Sequence, residues 1–539
     1  MTELGTLWRT VRHLKAQQVL GRARFRLTRP TPDLRAAPAL RSPVGASFAP
    51  AMREPSLLPD ARFRFLNETR ALDNIGWDDP SVDRLWRYNQ HYFDDLNASG
   101  AAARVEQQRA LVARWIEENP PAVGTGWEPF PTSLRIVNWV KWFIGGVPAE
   151  PAWLYSLAVQ ARWLAARIEW HLLGNHLFAN AKALVFAGLF FDGAEADTWL
   201  GRGLAILRRE LPEQVLADGG QFERSPMYHA LALEDVLDLL SMVAQRAPAA
   251  SPARRFEPDL REVAARMLHW QRAMSHPDGS IGLFNDAASG IAPSNAELER
   301  LAAALGIAAP GPATEGITRL DASGYLRVAR DDAVALLDVA PVGPDYLPGH
   351  AHADTLSFEL SIGTRRIVVN GGTSCYGSSA RRHFERGTAA HSTVQVAGEN
   401  SSEVWSGFRV GRRARPVNLK VGAWNVDCAH DGYRHLPGQS MHRRQWLFGA
   451  RELTVTDSVS PSAPAVARYH LAPGLHLQPM RSDQWQVRQG ESVVAQVSVE
   501  AGTASATESL HAPHFGMLEA AQTLEVTLHD GRAVTQWRW

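Results

Sequence analysis

The chain has 539 residues, and 56 lysines and arginines balance 56 aspartates and glutamates, so it has no formal net charge with its histidines neutral. That length exceeds one ordinary core and implies two or three domains, which a 45% hydrophobic content is sufficient to bury. A neutral chain lacks the global basic field that recruits nucleic acid, so any attraction for a charged ligand is local. Two cysteines alone, Cys375 and Cys428, give no disulfide framework and fit a reducing compartment.

Residues 1–80 are rich in Pro and Arg and read as an irregular N-terminal arm, extended or with a short β/helix lead-in. Its first fifteen residues carry charge throughout and lack the apolar stretch of a Sec signal. The expectation is a cytoplasmic protein or one peripheral to the inner membrane. Arg9, Arg12, Lys15, Arg22, Arg24, Arg26 and Arg29 lie among leucines. Such a segment is expected to be a solvated amphipathic helix packed on its own domain, with an interfacial membrane helix as the alternative. No run of about 18 apolar residues predicts a transmembrane span.

From 81 to 312 apolar residues recur at three and four, punctuated by Gly and Pro, which predicts an array of helix pairs. The spacing predicts helices over 101–118, 133–144, 151–172, 175–191, 194–211, 227–245, 260–274 and 294–305. A Pro/Gly/Ala stretch at 308–316 ends that rhythm, and from 313 to 539 alternation takes over. Short strands are expected over 325–329, 333–339, 356–362, 366–369, 392–396, 445–456, 493–499 and 522–528, making a β-sandwich. The fold class is therefore multidomain α+β, helix pairs followed by an antiparallel sandwich.

The most informative motif is Gly349-His-Ala-His-Ala-Asp354, which leads into the strand at 356–362. At strand spacing His350 and His352 would point to one face, where two imidazoles share a ligand, a metal or a substrate. His391 lies before a second strand. In the helical half, Asn175-His176 opens one helix and Tyr228 lies near the start of another; the alternatives are an N-cap and a packed core tyrosine. Arg135, Asn138 and Trp139 share a helix that would line a groove or present a solvated face, and Tyr88, Asn89 and His91 form a polar-aromatic cluster that would bind a sugar or close one end of the helical array. Trp139, Trp142, Trp153, Trp163, Trp170 and Trp199 are read chiefly as core fillers. Arg386, Arg409, Arg412, Arg413 and Arg415 concentrate positive charge in the β region; a solvated face is the usual reading of such a run, and an anionic glycan would need this local field in a neutral protein.

This ordered set, with Leu85 to Leu96, Trp127 to Trp139 and Gly219 to His229, resembles the heparinase II/III-like polysaccharide lyases, which include several alginate lyases. The resemblance runs from about Leu85 to the end of the chain. It implies an (α/α) toroid over 81–312 and a sandwich over 313–539. It also implies that Asn175 or His176 neutralises a uronate carboxylate, that Tyr228 protonates the leaving glycosidic oxygen, and that His350, or Tyr228 itself, takes the C5 proton. Arg224, four residues before Tyr228, would be the cation that lowers the phenol pKa. The family's sandwich holds a structural zinc by a histidine, an aspartate and a second histidine. His352 and His391 match the histidines, whereas Asn370 stands eighteen residues after His352 at the aspartate position, and Asp354 is the candidate to compensate.

The expected function is a polysaccharide lyase that cleaves an acidic, uronate-containing polysaccharide or oligosaccharide by β-elimination. Such a reaction requires the carboxylate to be neutralised before the α proton leaves. A uronate C5-epimerase and a non-catalytic glycan-binding protein of exopolysaccharide assembly are the alternatives.

Overall fold

A computed structural model describes residues 3–47 and 49–539. The arm is more regular than its composition suggests. Helices Glu3–Val11 and Ala16–Leu27 lead into an extended run, which ends in an antiparallel sheet of Leu57–Leu58, Arg62–Phe65 and Glu68–Ala71. It is also a strap between the two halves. Arg9 pairs with Glu403 of the β region at 2.6 Å, Arg53 pairs with Glu234 of the helical region at 2.5 Å, and Asn67 donates to the carbonyl of Phe515.

The helical half runs from Arg84–Gln90 to Asn295–Ala304. Its main helices are Val105–Glu118, Pro129–Ile144, Pro151–Ala166, Gly174–Phe190, Ala194–Gln214, Pro226–Arg246 and Pro252–Ala273. Four of these open on proline, whose missing N–H lies where no intrahelical acceptor exists. The last begins eight residues before the expected 260: Ser251 caps it, and Pro258, which reads as a break, sits inside the helix. The tryptophans of Pro129–Ile144 and Pro151–Ala166 are buried, where Trp139 meets Trp115 edge-on.

The β half is two antiparallel sheets packed face to face. One has eight strands in the order 416–421, 425–430, 441–449, 452–460, 532–538, 492–501, 484–489, 476–481. The other runs 503–511, 519–527, 465–471, 365–369, 358–362, 333–338, 325–330, 316–320, with Val394–Val396 also paired to Ala465–Leu471. Phe358 and Leu360 of one sheet share a core with Trp446, Val455 and Trp537 of the other. The single strand expected at 445–456 is a hairpin, Met441–Gly449 against Glu452–Ser460, because Arg451 adopts a left-handed conformation and turns the chain.

Candidate active site

The site forms where the first turn of Pro226–Arg246 meets loops of the sandwich, and the segment Asn285-Asp286 holds the two together. Ser225 caps the helix by accepting from the Tyr228 backbone N–H, and its hydroxyl donates to the carbonyl of Asp286. Asn285 donates from Nδ2 to the Arg224 carbonyl and accepts the His352 N–H at 3.0 Å; the Asp286 N–H donates to the His350 carbonyl. One dipeptide thus fixes the tyrosine of one domain against the histidine loop of the other.

That loop is not the strand its spacing suggests; regular structure begins only at Phe358. His350 and His352 nevertheless converge, because both reach the Asp286 carboxylate. His350 Nδ1 donates to one oxygen at 2.9 Å and His352 Nε2 to the other at 2.7 Å. Arg382, on the short helix Ala380–Arg386, donates to both oxygens. Burial alone would raise the Asp286 pKa, but Arg382 and the two imidazoles outweigh it and hold the carboxyl well below its ordinary value. Asp286 is a fixed anion that sets the His350 tautomer and leaves Nε2 free to accept a proton.

The Tyr228 ring lies against His350, centroids 3.9 Å apart, and its hydroxyl is 2.9 Å from that of Tyr376. Tyr376 and Phe408 complete an aromatic wall around the imidazole. Burial, with Tyr376 and Asp286 nearby, keeps the Tyr228 phenol well above its ordinary pKa, so it stays protonated at neutral pH. Glu223 lies across from His350: its Oε2 is 3.7 Å from Nε2 and has no hydrogen-bond partner, and burial raises its pKa.

Asn175 and His176 occupy the first turn of Gly174–Phe190. Gly174 adopts a left-handed φ of 54°, and a side chain there would collide with Leu347 of the histidine loop, so only glycine lets the loop close on this helix start. The same spot is 3.8 Å from Glu223. His176 Nδ1 faces Glu169 at 3.2 Å, and its ring lies against Phe130, 4.4 Å between centroids. Tyr88 bonds Glu128 and packs near Tyr92, which itself packs against Phe130. Tyr88, Tyr92, Phe130 and His176 thus form one run of ring contacts, and Glu223 lies within electrostatic reach of both His176 and His350.

Five residues expected to bind substrate or to tune its acid do other work. Arg135 is fully buried, donating to Gln160 at 2.9 Å and to the Gly126 carbonyl at 2.8 Å with its guanidinium over Trp115. Asn138 holds the 92–97 turn through the Tyr92 carbonyl and Asp94, and Trp139 is core. Arg386 is buried and donates to the carbonyls of Ala351 and Ser406, so it shapes the histidine loop without facing it. Arg224 is not the cation for Tyr228. It lies before the helix in a left-handed conformation, and its guanidinium donates to the Ser323 carbonyl.

His391 Nε2 meets His352 Nδ1 at 3.2 Å, which extends a donor chain from His391 through His352 to Asp286. Asn370 Oδ1 accepts the Ser392 N–H at 3.1 Å, and Asp354 accepts the Asn285 N–H at 3.0 Å. Among the described residues no three His, Cys, Asp or Glu side chains converge as a metal site. Asn370 supplies an uncharged amide oxygen, already accepting the Ser392 N–H, where the resemblance calls for an aspartate, so His352, Asn370 and His391 make a weaker donor set than two histidines and an aspartate.

Sequence inspection missed Asp286, Tyr376, Arg382 and Glu223. Asn285-Asp286, a polar pair inside the apolar run 281–288, was a legible signal. Arg382 lies in the same Arg-Arg-His-Phe-Glu-Arg segment as Arg386 but one turn earlier.

Residues 74–302 match the family described as heparinase II/III N-terminus, and residues 312–539 match the heparinase II/III-like C-terminal family. The chain belongs to the heparinase II/III-like family. It is 28% identical to FtsZ-localized protein C of Caulobacter vibrioides, over 87% of this chain and 84% of that protein. It is 24% identical to a heparin-sulfate lyase of Bacteroides stercoris, over 60% of this chain and 50% of the lyase. The chain thus spans about half the length of that lyase relative. A crystal structure of heparinase III superposes with a TM-score of 0.65 at 19% identity, covering 84% of this chain and 76% of that one, which establishes the toroid-plus-sandwich fold.

Proposed function

We propose that the chain is a polysaccharide lyase that cleaves an acidic, uronate-containing glycan by β-elimination. The observation that carries this reading is the stacked Tyr228–His350 pair with His350 Nδ1 held by Asp286. His350 Nε2 takes the C5 proton of the uronate. The C5–H electrons form the C4–C5 double bond, the C4–O bond breaks, and the Tyr228 hydroxyl gives its proton to the departing oxygen. Asn175 and His176 neutralise the carboxylate from a helix N-terminus, where the backbone dipole favours an anion. Glu223, its pKa raised by burial, lies within reach of the same imidazole.

Incubation with a panel of uronate-containing glycans, read by the absorbance of the unsaturated uronate, tests this. Turnover by the parent protein that is lost in Tyr228→Phe is expected; no rise over the panel rejects the reading.

A second reading, a glycan-binding protein without turnover, draws on Asn370, an amide where the resemblance calls for an aspartate. It predicts glycan binding that survives Tyr228→Phe. No helix among the described residues is long and apolar enough to cross a membrane. Under the lyase reading, the protein acts in the cytoplasm or at the periphery of the inner membrane, on an oligosaccharide or a polysaccharide under assembly.

A further inference from the structure

The helix Glu3–Val11 sits on the protein with its polar face inward. Thr6 and Arg9 bond Glu403, and Thr10 accepts from the Trp405 indole N–H. Its apolar residues at helical spacing, Leu4, Leu7, Trp8 and Val11, are left outside, with Leu4 78% and Trp8 65% exposed. Ala16–Leu27 repeats the pattern. Gln18, Gly21 and Phe25 face the protein, Gln18 bonding the Tyr346 carbonyl and Phe25 packing on His171, while Leu20 and Leu27 are 70% and 84% exposed. A solvated helix packed on its own domain would show the reverse orientation. Two successive helices that turn leucines to water have a surface awaiting a partner.

The charge around them names its chemistry. Residues 4–32 contain seven Lys and Arg and no Asp or Glu, in a chain whose total charge is zero. Arg9 and Lys15 are paired with Glu403 and Glu213. Arg22, Arg24, Arg26 and Arg29 are exposed and have no salt-bridge partner among the described residues. On Ala16–Leu27 the helical spacing puts Arg24 to one side of the Leu20–Leu27 line and Arg22 and Arg26 to the other. Basic residues flanking an apolar stripe can lie along an interface, with guanidinium groups at the phosphate level and leucines below.

We propose that the outward face of residues 4–27 docks the protein on an anionic lipid bilayer, lying in the interface without crossing it. A bilayer fits better than a protein groove, because the exposed leucines and Trp8 come from two separate helices and present broad apolar stripes edged by cations. The proposal is independent of catalysis, so it stands or falls apart from the lyase reading.

Flotation of the full chain tests it, with vesicles of phosphatidylcholine alone and of phosphatidylcholine mixed with phosphatidylglycerol. Binding to the mixed vesicles that weakens with salt, and little to phosphatidylcholine alone, is expected. Leu7→Glu with Trp8→Glu should reduce binding at least about tenfold. Arg22→Glu, Arg24→Glu and Arg26→Glu should each cost about fivefold. These side chains are exposed, so unchanged thermal melting shows that each variant is folded. Absence of vesicle binding by the folded parent overturns the proposal, as does binding indifferent to both sets of variants. Self-association in solution that Trp8→Glu abolishes, without vesicle binding, assigns the face to a second copy and likewise overturns it.

Discussion

The molecule contains the same polar assembly twice. At the active-site candidate, Asp286 takes Arg382 on both oxygens and His352 Nε2 at 2.7 Å, and His352 meets His391 at 3.2 Å. In the sandwich core, Asp457 takes Arg444 on both oxygens and His442 Nε2 at 2.8 Å, and His442 meets His430 at 3.2 Å. The core copy is closed: the Gly432 N–H caps the last imidazole, and Tyr469 reaches Asp457. The other copy has one extra member, His350, which is partly exposed and stacks on Tyr228. An Arg–Asp–His–His chain is thus a structural brace; what makes one of them a site is the open imidazole attached to it.

The largest expected contrast is in turnover. Tyr228→Phe should lower the rate by about 10²–10⁴-fold, the range of a lost general acid. It should cost no more than about 1 kcal/mol of stability, because only the bond to Tyr376 is removed. A Tyr228→Phe protein that melts normally and still cleaves would detach the tyrosine from the chemistry.

The two aspartates should be nearly equivalent in stability and opposite in function. Asp286→Ala and Asp457→Ala each strand a buried arginine, at a cost of about 3–5 kcal/mol in chemical denaturation. Activity per folded molecule should vanish in Asp286→Ala and persist in Asp457→Ala. Loss of specific activity in both would mean that the core brace also shapes the site.

Acid should weaken both assemblies. Burial lowers the His352 and His391 pKa values to about 4, and it lowers those of His442 and His430 as well. Between the ordinary value of about 6.5 and those folded values the unfolded chain binds protons that the folded chain does not. Stability is therefore full above that window and falls as pH drops through it, by about 1.4 kcal/mol per pH unit per histidine. Asp286 and Asp457, held low, contribute fully above the ordinary carboxylate range and lose that contribution as pH falls toward their depressed values. Melting temperature against pH should show a shallower slope in His391→Asn; an unchanged slope would assign the acid sensitivity elsewhere.

Periodicity made the architecture legible, since long amphipathic helices and alternating strands each carry a repeated signal. It failed where one residue's backbone decides: Arg451 splits a strand, and Pro258 sits inside a helix that Ser251 starts early. Site residues were legible where chemistry concentrates in a motif, as at His350 and His352. Asp286 had only the polar pair Asn285-Asp286 in an apolar run to mark it, because the partners that a carboxylate gathers from three segments leave no trace in its own. Arg135 misled for the opposite reason: its helical neighbourhood suggests a groove face, but the aromatic shell of Trp115 and Trp127 buries the guanidinium.

The smallest effect concerns what only the open copy contains. Glu223 is a buried carboxyl whose Oε2 lacks a hydrogen bond, and its raised pKa means that ionisation is resisted in the folded state. A raised carboxyl pKa removes stability as pH climbs from the ordinary value to the folded one, so at neutral pH the group is a net burden. Glu223→Gln keeps the shape, removes the titration and should raise stability by about 1 kcal/mol at neutral pH, with the gain disappearing in acid. Turnover should fall at the same time, because the carboxyl faces His350 Nε2 at 3.7 Å. A stabilised variant with undiminished turnover would place Glu223 with the braces; a stabilised but slower one identifies the strain that the closed copy, with every partner satisfied, has no reason to carry.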